Sequence, residues 1–306
     1  AASDVYKRQQ RQESEKKAVA IALQNLARNS GYGDVTRLTW SMETELIKEL
    51  LPYLSPKEID GVEVYVQINE EGKSEIKQIK DGKELNSMPA KLKKHPYIEE
   101  LKAVHKKLKD QYTRSRIMLE QAMEDCTHFE ENELRKLMQN PVIWPLLKHL
   151  VFICNGQTGF YTDGLLITVN AVCLPLKPKD ELRIAHPTDL YTSGDWHAYQ
   201  KFLFDKSIRQ PFKQVFRELY VPTPEEIEAT QSRRYAGNQI QPQKTVAVLK
   251  GRRWVADYED GLQKIYYKEN IIATIYAMAD WFSPADIEAP TLEYCLLYTS
   301  PSPRDS

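Results

Sequence analysis

The second half of the sequence contains a set of side chains whose chemistry suits an anionic ligand. Arginine presents a planar fork that captures carboxylate or phosphate groups through two hydrogen bonds, and histidine titrates near neutral pH. We therefore consider a site for a small anion or a nucleotide, with no residue assigned a catalytic role. The candidate ligand-binding residues are His186, Gln210, Gln214, Arg217, Arg233, Arg234, Lys244 and Trp254.

The same residues also have a structural interpretation. Buried polar side chains must be hydrogen-bonded, so the arginines could pair with carbonyl and carboxylate groups at the ends of helices and strands. His186 could cap a strand end, and Trp254 could pack at the edge of a core with a cation–π contact to a neighbouring arginine. A pocket in which His186, Gln210, Arg217 and Arg233 converge would favour the ligand site. Scattered positions with separate protein partners would favour the structural role.

The stretch Ile184–Arg217 contains the elements that would position the first four residues. A strand is expected to end at His186-Pro187, because a residue before proline is pushed toward extended geometry. Apolar side chains at helical spacing around Trp196 predict an amphipathic helix, and Gln210-Pro211 follows it. The residues expected in the core, each on the apolar stripe of its own helix, are Trp144, Trp196 and Phe212.

The motifs of this region resemble one protein family. They are an HP pair, a tryptophan-bearing helix, the pattern QPF.Q..R, the string SRRYAG, a lysine and the string GRRW. Together they resemble the bacterial domain of unknown function 4132 family. The matching residues are His186, Pro187, Trp196, Gln210, Pro211, Phe212, Gln214, Arg217, Ser232, Arg233, Arg234, Tyr235, Gly237, Lys244, Gly251, Arg253 and Trp254.

This resemblance implies a context but no activity. Members are usually large multidomain proteins, often similar to regulators of molybdate metabolism and often with a WGR domain elsewhere. The sequence printed here contains no WGR motif. The stretch from Leu23 to Leu150 is similar to the segment that precedes the domain in long members. Because the family has no established activity, the resemblance assigns no catalytic residue.

The two ends of the sequence are related to each other as translated complementary DNA strands. One DNA sequence that can encode Asp4–Gln9 (DVYKRQ) has a reverse complement that, read one base along, encodes Cys295–Ser300 (CLLYTS). A transposase sequencing adaptor leaves such a pair when it is translated on both flanks of an insert. We therefore expect residues 1–9 and 295–306 to be adaptor-derived, disordered and without core contacts, and the native chain to be an internal fragment.

Composition narrows the class of protein. The 42 basic and 43 acidic residues balance, so nucleic acid is only a weakly supported partner. No stretch approaches the roughly 20 apolar residues that a membrane span needs, and we expect no membrane association. Apart from Cys295, the cysteines are three in number and lack CxxC spacing, which suits a reducing cytosol and a cytoplasmic location.

The search for chemical motifs is negative. The phosphate-loop, dinucleotide-binding, hydrolase-elbow and zincin patterns are all missing from the sequence. Cys126 and His128 lack a second pair of ligands at zinc spacing, so no metal site and no cofactor are expected. The absence of a known motif does not exclude an enzyme, and the question of catalysis stays open.

Periodicity predicts an α+β fold for the chain. The upstream segment, residues 10–140, should contain an N-terminal helical hairpin, a small β-meander and a long helix from about Tyr97 to Asp125. The family domain, residues 141–294, should be a mixed antiparallel-sheet and helix domain. Its hairpin turns are expected at Asn155-Gly156 and Asp163-Gly164. Strands and helices occur in blocks, which is typical of α+β proteins.

Two functions from different classes follow from these observations. The first is an uncharacterised interaction or regulatory module of a larger multidomain bacterial protein, whose partners are other domains of that protein or other proteins. The alternative is a nucleotide- or anion-binding enzyme domain that uses the region of His186, Gln210, Arg217 and Arg233.

Overall fold

The computed structural model describes residues 15, 18–229, 231–257, 261–266, 271–279, 281, 284 and 290–299. Two compact units account for them, a larger one over residues 15–219 and a smaller one from Tyr220 onward. The boundary that the sequence predicts at residues 140/141 falls inside the larger unit and stays a prediction. None of the described helices is both long and apolar enough to cross a membrane.

The larger unit begins with two helices and a small sheet. Residues 18–29 form α1, Val35–Leu50 form α2, and the 3-10 turn Leu51–Leu54 follows. Asp34 caps α2 by accepting a hydrogen bond from the Arg37 backbone N–H at 2.8 Å. An antiparallel meander then contains β1 (Lys57–Ile59), β2 (Val62–Ile68), β3 (Ser74–Lys80) and β4 (Lys83–Glu84). The predicted helical pair and β-meander are confirmed.

One long helix, α3 (Pro96–Glu124), packs in two hydrophobic cores. Its first half, including Ile98 and Leu101, is buried against the valines of β2. Its second half, including Leu119 and Met123, is buried in a core that contains the six-stranded sheet described next. The helix starts where the sequence predicts because Pro96 occupies its first turn, where a missing N–H costs nothing.

The six-stranded sheet is antiparallel throughout and has the order β5-β10-β6-β7-β8-β9. Its hairpins turn at Asn155-Gly156 and Asp163-Gly164, where all four residues have positive φ, as type I′ turns require. The strands are β5 (His128–Glu130), β6 (Val151–Cys154), β7 (Gln157–Thr162), β8 (Leu165–Ile167), β9 (Cys173–Pro175) and β10 (Glu181–Ile184). The helices around them are α4 (Glu131–Leu137), α5 (Trp144–Leu147), α6 (Pro187–Ser193) and α7 (Trp196–Asp205).

The smaller unit contains a third antiparallel sheet, of five strands, and two helices among its described residues. Its order is β11-β15-β14-β13-β12, and its core contains Val246, Leu262, Ala277 and Trp281. The helices are α8 (Pro224–Ala229) and α9 (Pro242–Lys250). The strands are β11 (Gln231–Ser232), β12 (Val255–Asp257), β13 (Gly261–Tyr266), β14 (Ile271–Ala277) and β15 (Leu292–Thr299). The α+β class is confirmed.

The structure corrects one expectation about the chain ends. Residues 295–299 were expected to be disordered, but they form the end of β15 and pair with β14. The string CLLYT contains tyrosine and threonine, which are enriched in strands, and no glycine or proline, so it suits a strand whatever its origin. Residues 1–9 and 300–306 lie outside the described residues. The adaptor origin of both ends stays a prediction.

A second correction concerns the predicted core aromatics. Phe212 is buried with the six-stranded sheet, but it lies in a segment of bends rather than on a helix. Trp144 and Trp196 are half-buried and pack against two different cores. Their apolar spacing identified helices correctly, whereas Phe212 follows Pro211, where the chain turns instead of continuing a helix.

Gly72, in the turn between β2 and β3, allows the meander to touch the chain before α5. Its φ is +83°, and a Cβ there would lie 2.8 Å from the Val142 carbonyl oxygen. Gly61 has a similar φ of +73°, but nothing lies within 4 Å of the corresponding Cβ position. Both positions therefore need glycine for the backbone, and only Gly72 also needs it for space.

We expect Gly72→Ala to destabilise the protein more than Gly61→Ala. Each variant pays about 1–2 kcal/mol for a side chain at positive φ, and the contact with Val142 should add about 1–3 kcal/mol at Gly72 alone. Urea denaturation measures the difference in the free energy of unfolding. Equal losses in the two variants would contradict the packing of this turn against Val142.

Candidate functional site

The predicted polar residues of the larger unit lie where β6 begins and β10 ends. His186 follows β10 and caps α6, with its ring Nδ1 accepting a hydrogen bond from the Thr188 N–H at 3.3 Å. The Asp189 carboxylate accepts from the His186 N–H at 2.8 Å, which completes a capping box. Asp189 also pairs with Arg183 of β10 at 2.7 Å. The cap therefore ties the start of α6 to the strand before it.

The charges around this cap set the protonation of its two titratable groups. Burial lowers the pKa of His186, and the positive charge of Arg217 lowers it further. Burial alone would raise the pKa of Asp189, but hydrogen bonds from Arg183 and from the His186 backbone lower it overall. At neutral pH the histidine is thus neutral and can accept the hydrogen bond that caps α6.

Gln214 is fully buried and uses all of its hydrogen-bonding capacity. Its Nε2 donates to the carbonyl oxygens of Val151 and Ala185, each at 2.8 Å. Its Oε1 accepts from the Val151 N–H at 2.9 Å and from Gln210 Nε2 at 2.7 Å. A glutamine amide offers two donors and two acceptor positions, so nothing is left for a ligand.

Gln210 supports this arrangement from the segment after α7. Its Nε2 also donates to the His149 carbonyl oxygen at 2.9 Å, and its Oε1 accepts from the Val215 N–H at 3.0 Å. The side chain therefore joins the chain before β6 to the turn that contains Gln214. The two glutamines, four residues apart, act as one hydrogen-bonded connector.

Arg217 connects the same segment to α3. Its guanidinium pairs with Glu120 at 2.8 Å and with Glu124 at 2.6 Å, and only 11% of the side chain is exposed. A buried arginine with two carboxylate partners is a structural ion pair and not an open anion site. Neither Glu120 nor Glu124 could be identified as a partner from spacing along the chain, because both lie more than 90 positions upstream on another element.

The other four predicted residues belong to the smaller unit. Arg233 is exposed, and its side chain forms no hydrogen bond or salt bridge with a described residue. Lys244 is exposed on α9 and lines a shallow depression with Gln241 and Thr245. Trp254 is half-buried at the edge of the core formed by Val246, Leu262, Ala277 and Trp281.

Arg234 belongs to a surface group that we call the tyrosine–arginine cluster, defined as Tyr220, Arg233, Arg234 and Tyr235. The Arg234 guanidinium carbon lies 4.7 Å from the centre of the Tyr220 ring, which is a cation–π contact. The rings of Tyr220 and Tyr235 are 5.9 Å apart. The cluster is therefore a preformed surface of aromatic faces and positive charge.

Glu226 of α8 holds this cluster in place. Its carboxylate accepts hydrogen bonds from the Tyr220 hydroxyl and, at 2.7 Å, from the Ser232 hydroxyl. The Tyr220 hydrogen bond, followed by that of the Thr223 N–H, lowers the pKa of Glu226 to about 2. Sequence analysis missed this residue, although Thr223 and Glu226 have the spacing of a capping box.

Comparison with known families decides the affiliation of the chain. The model of the family described as Domain of unknown function (DUF4132) matches residues 82–254. The chain belongs to this family. The match contains all eight predicted residues and extends from the larger unit into the smaller one. The model of a second family, described as Family of unknown function (DUF5724), matches residues 9–42.

No curated protein and no solved structure matches the chain. The family match therefore establishes an affiliation, and it assigns no activity to the chain. The structure divides the eight predicted residues between the two units, and those in the larger unit contact protein groups. A ligand role for any of them stays a prediction.

Replacing Gln214 by leucine should destabilise the protein by about 3 kcal/mol or more, since it leaves buried backbone groups of Val151 and Ala185 without partners. The exposed Gln157 of β7 provides the control, and Gln157→Leu should change the unfolding free energy by less than about 0.5 kcal/mol. Chemical denaturation of both variants checks this. Equal stability of the Gln214 variant and the wild type would show that the connector contributes nothing.

The His186 cap predicts a pH dependence with a definite sign. A histidine whose pKa is lowered by folding binds its proton more readily when unfolded, so stability is lost as pH falls below about 6.5. His149 has a lowered pKa for the same first cause, burial, and adds to the loss. His186→Asn keeps a capping side chain without a titrating group. The variant should lose less stability than the wild type between about pH 8 and pH 5.5, measured by thermal unfolding.

Proposed function

We propose that the chain is a non-catalytic interaction or regulatory module of a larger multidomain bacterial protein that works in the cytoplasm. Its partners are other domains of that protein or other proteins. Resemblance to proteins similar to molybdate-metabolism regulators, often with a WGR domain, supports a regulatory context. The family affiliation supports the proposal only at the level of a domain whose activity is unknown.

The observation that carries the proposal is the exposure of the tyrosine–arginine cluster. Tyr235 is 53% exposed and Tyr220 is 38% exposed, and Ile227, which follows Glu226 on α8, is 65% exposed. Arginine and tyrosine dominate the centres of protein–protein interfaces, because they combine a large apolar area with directional polar groups. Because Glu226 holds the Tyr220 side chain in place, less side-chain conformational entropy is lost when a partner binds.

The contrast with the larger unit supports the same proposal. There, the motif residues Gln210, Gln214 and Arg217 are engaged with backbone carbonyls and carboxylates of their own unit. In the cluster, Arg233 has no such partner among the described residues, and the ring of Tyr235 is open to contact. The family motif thus contributes structural residues in one unit and an accessible surface in the other.

A photoreactive amino acid at position 235 tests the proposal in bacterial cells that produce the protein. We expect a discrete crosslinked product that Arg233→Glu reduces by about fivefold or more, because charge reversal at an interface disrupts its complementarity. The control position is Phe204, which is 78% exposed in the larger unit. Crosslinking that is stronger at 204 than at 235, or insensitive to Arg233→Glu, would overturn the assignment.

The alternative, an anion- or nucleotide-binding enzyme domain, is favoured by one observation, the unpartnered Arg233. A site of that kind should weaken in Arg233→Lys, because the bidentate fork is lost while the charge remains. Thermal shifts of the wild type and this variant with phosphate, nucleotides and ADP-ribose separate the two functions. A ligand shift that is equal in the wild type and in Arg233→Lys, or absent from both, would remove the alternative and leave the interaction module.

A further inference from the structure

The larger unit contains two neighbouring depressions, and Gln210 of the glutamine connector lines the smaller of them. One, of about 590 Å³, lies between β3 and α3. The other, of about 290 Å³, lies between the turn before β3, α5 and the segment 209–211. Lys73 and Tyr112 line both depressions, so we treat the two as one cleft. Volumes of this size accommodate a small molecule.

Positive side chains line the cleft at both ends. Lys109 of α3 lies at one end and Arg209 at the other, with Lys73 between them. Lys109 and Arg209 are exposed, and neither side chain forms a hydrogen bond or salt bridge with a described residue. Because neither side chain is held by a hydrogen bond or salt bridge to a carboxylate of the described residues, both are available to an anion, although Arg209 also interacts electrostatically with Glu71.

The two acidic residues of the cleft are engaged with neighbouring lysines. Glu71 pairs with Lys73 at 2.6 Å, and Glu75 pairs with Lys77 at 3.3 Å. Both acids are exposed to solvent. Glu71 therefore competes with a bound anion for Lys73, and its removal should make that lysine available.

Two histidines, an aromatic ring and two prolines complete the lining. His105 is held by Ser74, with 3.0 Å between Nδ1 and the hydroxyl oxygen. His149 lines the smaller depression together with Pro145 and Pro211. Tyr112 packs against two of the hydrophobic cores of the unit and lines both depressions. A half-buried aromatic ring held in this way offers a planar ligand a stacking surface.

We propose that this cleft binds a small phosphate ester that carries a planar ring, the chemistry of a mononucleotide. The phosphate lies beside Lys73, the lysine that both depressions share, with Arg209 and Lys109 reaching toward it from the two ends of the cleft, and the ring lies against Tyr112. Arginine supplies bidentate hydrogen bonds to phosphate, while the lysines act as point charges. The cleft belongs to the larger unit and the tyrosine–arginine cluster to the smaller one, and the inference does not depend on the proposed interaction function.

Isothermal titration calorimetry of the full chain tests the assignment with three probes: ATP, adenosine and sodium phosphate. ATP should bind saturably, and both adenosine and phosphate should bind at least about tenfold more weakly, because each lacks one half of the recognised chemistry. Absence of saturable ATP binding at millimolar concentration would overturn the proposal. Equal affinity for phosphate and ATP would overturn the role of the ring.

Variants locate the binding within the cleft. Arg209→Gln and Lys109→Gln should each weaken ATP binding by about tenfold, since each removes a charge-assisted contact. Lys107→Gln is the matched control, because Lys107 is an exposed lysine of α3 that lines neither depression. Its affinity for ATP should stay within about twofold of the wild type. Equal losses in all three variants would indicate nonspecific attraction and overturn the site.

Glu71→Gln gives a result that loss of folding cannot imitate. Removal of the carboxylate frees Lys73 and lowers the repulsion of an anion, so ATP should bind more tightly, by about threefold. Unchanged or weaker binding in Glu71→Gln, with a wild-type circular dichroism spectrum, would overturn the position of the phosphate beside Lys73. The crosslinking at position 235 should be unaffected by all of these variants.

Discussion

A fully buried amide is stable only when every one of its donors and acceptors has a partner, and Gln214 meets that condition through backbone groups of two different strand ends. It bonds both the N–H and the C=O of Val151, the first residue of β6. The Ala185 carbonyl after β10 receives the second donor. The segment after α7 is thereby fixed to the centre of the six-stranded sheet, and Gln210 and Arg217 are positioned from it.

The same region shows why polar residues that stand out in a sequence need not form a ligand site. His186 and Arg217 are close enough for the arginine to lower the histidine pKa, so the sequence pattern did bring them into one neighbourhood. Yet each of them satisfies a local requirement: a helix N-terminus in one case, two carboxylates of α3 in the other. A chemically versatile residue is used wherever the fold requires its hydrogen bonds.

Local sequence patterns predicted most of the helices and strands. The contacts of the candidate site join residues far apart in the sequence, and these patterns predicted few of them. Asn155-Gly156 predicted its hairpin because a type I′ turn needs positive φ at both positions. The His186-Pro187 step predicts a strand end but does not by itself predict helix α6. Pro187 lies in the first turn of that helix, a position where proline is also favoured. The pairing of Arg217 with Glu120 depends on how α3 crosses the sheet, which spacing along the chain does not encode.

The expectation of disorder at residues 295–299 failed for a related reason. It was based on the origin of the codons, whereas strand formation depends only on whether the side chains and the backbone can pair with an available edge. The string CLLYT extends β15 alongside β14, where alternate residues face the same side of the sheet. The origin of a sequence therefore does not determine whether it forms a strand.

Because α3 packs in two cores, the boundary of the family match differs from the boundary of the stretch that folds together. The family match begins at residue 82, after β3 has ended, whereas the first half of α3 packs on Val62, Val64 and Val66 of β2. A polypeptide cut at the start of the match would present Ile98 and Leu101 to water. Sequence similarity here outlines a stretch that is inherited together, and the stretch that can fold is longer.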